Sequence, residues 1–247
     1  MKIIVLDTEA SGSEKEDRVI SLAVGEIEKE RLIRLKTGLF NPGVLVKEGA
    51  FWVHKLSNEL LADKPDFQTT EFLQYLACFF SDYHNIVVGH AICNDLFLLA
   101  KENLFCQCQV IDTQFCAQKV LKTEKSSLNY LAKEYNLLGD NEKIKFHTAE
   151  DDVKVTFLLF NELLKHNSLK ELIDMSMEPF YEISVKVSKY QKQRIYHLAA
   201  QDKERLCEYF LVTRDPKAMY ALMYFYYNAE LFRNETKKAL IRKVLNA

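Results

Sequence analysis

The chain has 247 residues, 48% of them apolar and 28% charged, with a formal net charge of −2. This is an ordinary soluble globular composition with enough apolar surface for a core, and it suits one large domain or one domain plus a small second one. No run approaches the ~20 apolar residues of a bilayer-spanning helix, which excludes a helical membrane protein. No basic segment followed by an apolar stretch and a small-residue cleavage site opens the chain, so no signal peptide is expected.

The charge is uneven. Residues 165–247 carry 15 basic against 10 acidic residues, and residues 1–164 carry 18 against 25. An acidic front half suits a site built from several carboxylates, and a basic back half could offset repulsion of a polyanion. The six cysteines, Cys78, Cys93, Cys106, Cys108, Cys116 and Cys207, lie mostly in apolar contexts without zinc-type spacing. They read as reduced thiols of a cytoplasmic protein.

In chain order, "KIIVLD" reads as a buried strand, and residues 18–28 and 31–40 as two more, joined by a hairpin. "NPG" at 41–43 is a turn and "SNELLA" a short capped helix. Residues 69–83 form an amphipathic helix with Thr69 or Thr70 as cap. "NIVVGH" (85–90) is a short strand running into a helix started by Asn94, and "CQVID" (108–112) is another strand. Two helices follow, "TQFCAQKVL" and "SSLNYLAKEYNL". A longer helix over 148–166 begins at Thr148 with Glu150, Asp151 and Asp152 in its first turn, where the helix dipole favours acids. Strands followed by alternating strands and helices predict an α/β fold with a mixed sheet. After about residue 168 the pattern is helix only, which divides the chain into 1–168 and a smaller, all-helical region, 169–247, of unknown role.

The first strand raises a chemical question. Asp7 and Glu9 are one residue apart and therefore project from the same side of an extended chain. Either the strand simply runs out into solvent, or a cation sits between them. Asp95 opens the helix after "NIVVGH", and Asp152 lies in the first turn of the long helix. Strand ends and helix starts on one edge of such a sheet are where ligands bind. Taken singly, Asp95 and Asp152 are ordinary helix-start acids, His147 is a loop histidine, and Asp112 is a strand-end cap. Taken together, four carboxylates at one point need a counter-charge. Oxygen ligands favour hard cations such as Mg²⁺ or Mn²⁺. Five residues are about 500° of helix, so His147 is expected just before the Thr148 cap, on a loop that can swing over the acids. An imidazole there suits a general base.

These motifs, "VLDTEASG" (5–12), "GHAICNDLFLL" (89–99) and "HTAEDD" (147–152), resemble the DEDDh branch of the DnaQ-like 3′–5′ exonucleases, which includes polymerase proofreading subunits. The connecting segments 40–67 and 110–137 are also similar, so the resemblance covers about residues 1–166. It implies an RNase H-like fold, a five-stranded mixed sheet with flanking helices. It implies that Asp7, Glu9, Asp95 and Asp152 hold two Mg²⁺ or Mn²⁺ ions, with His147 as general base. It places the backbone around Thr8, Ala10 and Ser11 near the terminal nucleotide, with Phe51, Trp52 and His54 against its base or sugar. Asp112 becomes a supporting acid. The sequence departs from the family beside the chemistry: Asn94 stands where Phe often precedes the third acid, "AIC" follows His90, and "VHKL" lacks the usual glycine after His54.

The resemblance implies hydrolysis of phosphodiester bonds at single-stranded DNA ends, releasing nucleoside monophosphates. An exoribonuclease trimming RNA 3′ ends is the first alternative, and an inactive nucleic-acid or polymerase-binding module is the second. A third reading docks the C-terminal helices on a DNA polymerase. The aromatic run Tyr220, Tyr224, Phe225, Tyr226 and Tyr227 reads as a helix packed into a small bundle. Its alternatives are a protein-docking face, or a base-stacking surface with Lys237, Lys238, Arg242 and Lys243 on phosphates.

Overall fold

The structure, a computed structural model, describes residues 1–14, 16–139, 144–186, 192–202, 205–210 and 213–228. Its centre is a five-stranded sheet made of β1 (Ile3–Ala10), β2 (Val19–Glu28), β3 (Arg31–Leu39), β4 (Ile86–Gly89) and β5 (Gln109–Asp112), in the order β3-β2-β1-β4-β5. β1 pairs antiparallel with β2 and parallel with β4, and β4 pairs parallel with β5. The expected mixed sheet is therefore present. Ile4, Val5 and Leu6 point alternately to both faces of β1, and all three are buried. A strand covered on both faces needs a continuous apolar run, which explains why β1 does not alternate.

The ladders differ in length. β1 pairs with β4 only over Ile3–Val5, but its ladder with β2 continues to Ala10. Asp7 and Glu9 therefore both lie inside the strand, which runs on past Asp7, where the predicted strand stops. Antiparallel pairing with β2 holds them extended, while the side facing β4 is open.

The helices are α1 (Glu48–His54), α2 (Asn58–Leu61), α3 (Glu71–Phe80), α4 (Cys93–Lys101), α5 (Thr113–Val120), α6 (Leu128–Glu134) and α7 (Ala149–Leu164). α1 is not marked by sequence periodicity, since both Trp52 and Val53 are exposed. Thr70 and Thr148 stand at the predicted cap positions of α3 and α7 but make no side-chain cap. Their hydroxyls donate to the Phe67 and Lys145 carbonyls instead. α7 buries Ala149, Asp152, Val153, Thr156, Leu159, Phe160 and Leu163. That helical stripe packs on β1 and β2.

Beyond residue 168 the chain forms α8 (Leu169–Glu182), α9 (Ile195–Gln201), α10 (Leu206–Phe210) and α11 (Pro216–Tyr227). The expectation of helices alone is corrected by a two-stranded antiparallel ribbon, β6 (Ser184–Lys186) with β7 (Lys192–Arg194). The described part of this region shares the core of the sheet: Leu172, Phe180, Ile195, Tyr220 and Phe225 join one apolar cluster with Val5, Val88 and Val110. Tyr220 donates its hydroxyl to the Cys108 carbonyl at 2.7 Å. Tyr220, Tyr224 and Phe225 are buried, so a base-stacking surface built from them is excluded. Lys237, Lys238, Arg242 and Lys243 lie outside the described residues. Among the described residues no helix is long and apolar enough to cross a membrane, and the five described cysteines are free thiols.

Candidate active site

The first two acids owe their position to β1 outrunning β4. The third comes from a tight turn. β4 ends at Gly89, and only His90, Ala91 and Ile92 separate it from the start of α4 at Cys93. A Cβ on Gly89 would come within 2.4 Å of Ile92 Cδ1 and 2.9 Å of Ile92 Cβ, so this turn requires glycine. Asp112, at the end of β5, fastens the turn. Its Oδ1 accepts the Ala91 N–H at 3.0 Å and caps α5 through the Gln114 and Phe115 N–H groups. Asp112 is thus the strand-end cap, and it supports the element that carries Asp95.

Of the three consecutive acids that open α7, only Asp152 is buried. Asp151 accepts the Lys145 N–H, and Lys154 bridges Asp151 and Glu150 on the outer face. Asp152 turns inward, and its Oδ2 accepts the His147 N–H at 3.0 Å. His147 has a left-handed backbone, φ +65°, immediately before Thr148, where the sequence places it on a loop.

Ligand atoms of Asp7, Glu9 and Asp152 lie within 4.8 Å of one another. Asp95 stands beside them. Its Oδ1 accepts the Thr8 N–H at 2.8 Å and the Thr8 hydroxyl at 2.6 Å. Burial and then the charges of Asp95, Asp152 and Glu9 hold the Asp7 carboxyl well above the usual range. Burial, with Asp152 and Asp95, pushes Glu9 up to about 8. Burial raises Asp95 to about 7 despite the two Thr8 donors, and raises Asp152 to about 6 despite the His147 N–H. Four carboxyls that resist ionisation together are a site built for added positive charge.

The donor set suits a divalent hard cation. It offers only oxygen, and Asp152 Oδ1 is buried with no hydrogen-bond partner. An orphaned carboxylate oxygen facing two other carboxylates is costly unless a cation completes it. Asp7, Glu9, Asp95 and Asp152 fit the ions that the family uses.

The remaining expected site residues fall into two groups. Thr8 and Ser11 are engaged within the protein: Thr8 by Asp95, and Ser11 by four bonds. The Ser11 hydroxyl donates to Asp17 and accepts the Arg18 N–H, its N–H donates to the Arg18 carbonyl, and its carbonyl accepts the Lys47 N–H. Both hydrogen-bond donors of Ser11 are thereby committed within the protein. Ala10 follows Glu9 at the end of β1 and its carbonyl acts on His54, while Phe51 and His54 share α1. His54 is buried on α1, its Nδ1 accepts the Leu56 N–H at 3.0 Å, and its Nε2 lacks a well-formed partner. Burial lowers its pKa, against the pull of the Ala10 carbonyl. Phe51 is half-buried and Trp52 is 62% exposed, with the Lys55 ammonium 4.4 Å from the indole centre. His54 and His147 both line a cleft of about 600 Å³, together with Ser21, Thr37, Lys64 and Glu150.

One fixing element has no counterpart in the sequence reading. Asp17, 1% exposed, accepts bonds from the Ser11 hydroxyl, the Glu14 N–H and Lys47 Nζ. Lys47 begins α1, so this clasp ties the end of β1 to the helix that carries His54. Only the i to i+6 pair Ser11–Asp17 could have hinted at it. A second pairing, bidentate Arg18–Glu102 with Gln68 also on Glu102, anchors the start of β2 to the end of α4.

Comparison with known proteins agrees with this geometry. The family model RNase_T, described as exonuclease, matches residues 4–160. The DNA polymerase III subunit epsilon of Escherichia coli (strain K12) is 30% identical over 166 residues, which is 62% of this chain and 67% of that protein. The subunit of the same name from Rickettsia felis is 28% identical over 189 residues, 72% of this chain and 81% of that one. Exonuclease X, solved with 5′ overhanging duplex DNA, superposes with a TM-score of 0.56 at 17% identity, covering 70% of this chain and 99% of its own. E. coli Exonuclease I, solved with a dA16 oligonucleotide, gives 0.55 at 16% identity, covering 70% of this chain and 42% of its own. The structural likenesses are of fold; the family match spans every acid of the site, and the chain belongs to the exonuclease family as a DnaQ-like 3′–5′ exonuclease.

Proposed function

We propose that the chain removes nucleoside 5′-monophosphates from the 3′ ends of single-stranded DNA, with Asp7, Glu9, Asp95 and Asp152 holding two divalent ions, Mg²⁺ or Mn²⁺, and His147 as general base. The observation that carries this reading is the convergence of Asp7, Glu9 and Asp152 around an orphaned carboxylate oxygen, with Asp95 alongside. The ions supply charge neutralisation at the scissile phosphate and lower the pKa of an attacking water. The chain's own groups do the rest. Thr8 aims the Asp95 carboxylate, and the Asp152 carboxylate holds the His147 backbone. The imidazole, on its exposed loop, takes the proton of the attacking water. His54 and Phe51 on α1 flank the terminal sugar and base.

The full set of acids and the histidine argues against an inactive binding module. A DNA substrate accords with the relatives' name, DNA polymerase III subunit epsilon, and with the DNA in the solved structures of Exonuclease X and Exonuclease I. The same name supports a polymerase as partner. The free cysteines accord with a cytoplasmic location. The test is a side-by-side digestion of matched, labelled DNA and RNA oligomers in Mg²⁺ and in Mn²⁺. We expect stepwise shortening of the DNA from its 3′ end. Preferential shortening of the RNA would make the chain an exoribonuclease, and digestion of neither would remove the proposal.

A further inference from the structure

We infer that Arg214 and Lys217, which lie outside the family match, form a basic rim holding phosphates of the nucleic-acid strand upstream of the scissile one. The inference rests on the exonuclease site proposed above and extends it to the C-terminal region.

The direction of α11 is the first observation. Tyr220 is tied to the Cys108 carbonyl just before β5, and Asn228 Nδ2 donates to the Gln107 carbonyl at 3.0 Å. Tyr227 packs on Phe105. The C-terminal end of α11 therefore sits at the start of β5, and its N-terminal end points toward the end of β5, the edge that carries Asp112 and Asp95. The electrostatics agree. α11 packs along α4, and the Lys217 charge is among the influences on Asp112. Lys217 thus stands near the end of β5 and the start of α4.

The second observation is charge. Arg214 and Lys217 are exposed, and neither has an ion-pair partner among the described residues. The nearby Asp215 is occupied as the cap of α11, accepting the Lys217 N–H. Two other cations near the site are taken: Lys154 by Glu150 and Asp151, and Lys47 by Glu14, Glu16 and Asp17. A polyanion crossing an edge lined with carboxylates needs unpaired positive charge along its path.

The third is the order of parts along that edge. α1 and the segment after it lie over the β2–β3 side, where Phe51 and Leu56 join Ile20 and Leu39 in one apolar cluster. The acids lie at β1, and Asp112 with the start of α11 lies at β5. A strand whose 3′-terminal nucleotide is at α1 and whose scissile phosphate is at β1 must leave toward β4 and β5. β5 is two strand spacings from β1, about 10 Å. The rim is therefore placed for phosphates one or more nucleotides upstream.

The test uses the full chain carrying Arg214→Gln and Lys217→Gln together, both surface changes. Fluorescence anisotropy in Ca²⁺ reads binding of a labelled oligonucleotide long enough to span the edge, across a salt series. Hydrolysis of a mononucleotide p-nitrophenyl ester in Mn²⁺ reads the site itself. We expect the double variant to bind the long strand roughly tenfold more weakly at low salt, with the salt slope reduced by about 1.4, two phosphates on a single strand. Dinucleotide binding and ester hydrolysis should be unchanged. An unchanged slope and affinity for the long strand would overturn the rim, as would equal weakening of the dinucleotide. Failure of the parent protein to hydrolyse the ester would instead count against the catalytic site, while the anisotropy still decides the rim.

Discussion

Thr8 Oγ1 is the side-chain atom that most directly governs an acid of the site. Its 2.6 Å bond and the 2.8 Å bond from its own N–H converge on one oxygen of Asp95. A bond to a charged acceptor contributes roughly 1.5–3 kcal/mol. Thr8→Val keeps the shape and removes the hydroxyl. It should lower kcat by about 10–100-fold with little change in KM, and circular dichroism should report an intact fold. The sign of the accompanying pH effect follows from the lost donor: Asp95 becomes harder to ionise, so the acid limb of the pH–rate profile moves to higher pH. Legibility differs at this scale by the range of the interaction. Asp7 and Glu9 could be read because their relation is local, period 2 on one strand. The Thr8–Asp95 and Asp17–Lys47 contacts could not, because each joins residues 87 or 30 positions apart and depends on the docking of whole elements. The internal bonds of the Thr8 and Ser11 side chains are hidden from the sequence for the same reason.

Elements aim the acids. β1 presents Asp7 and Glu9 because its ladder with β2 is longer than its ladder with β4. The β4–α4 turn presents Asp95 because Gly89 allows Ile92 to fold back against it. Gly89→Ala forces that contact apart and moves the start of α4. The expected cost is about 1–3 kcal/mol in urea unfolding, the range of an overpacked core, with a fall in kcat larger than the change in KM. A variant as stable and as active as the parent would remove this account of the turn. Strand and helix positions were largely readable from apolar runs and periodicity, and most boundaries moved by one to three residues. The exceptions have physical causes. α1 has exposed apolar residues in place of a buried stripe, and the β6–β7 ribbon consists of short polar strands, "SVK" and "KQR", with no alternation to betray them.

For the whole molecule, the clustered acids link stability to pH and to metal. In the folded chain Glu9 holds its proton to about pH 8, Asp95 to about 7 and Asp152 to about 6, all through burial first. Unfolded carboxyls release theirs near pH 4. The folded state therefore binds more protons across this window, and the ion-free protein should lose stability steadily as pH rises from about 4 to about 8. Divalent ions oppose that loss. At a hundredfold excess over Kd, Mn²⁺ should raise Tm at pH 8 by roughly 5–10 °C, and by much less at pH 5, where protons compete. Scanning calorimetry at both pH values checks the sign. The C-terminal helices belong to the same cooperative unit, since Tyr220, Ser176 and Asn228 all bond to the β5 region, so a single transition is expected.

The measurement that bears most directly on the site is the digestion of a labelled single strand by the parent and by Asp7→Asn, both shown folded by circular dichroism. Removing one charge from the converging acids should abolish 3′-end shortening in Mg²⁺ and in Mn²⁺ while leaving the fold intact. An Asp7→Asn protein that shortens the strand at the parent's rate would contradict the assignment of these carboxylates to catalysis.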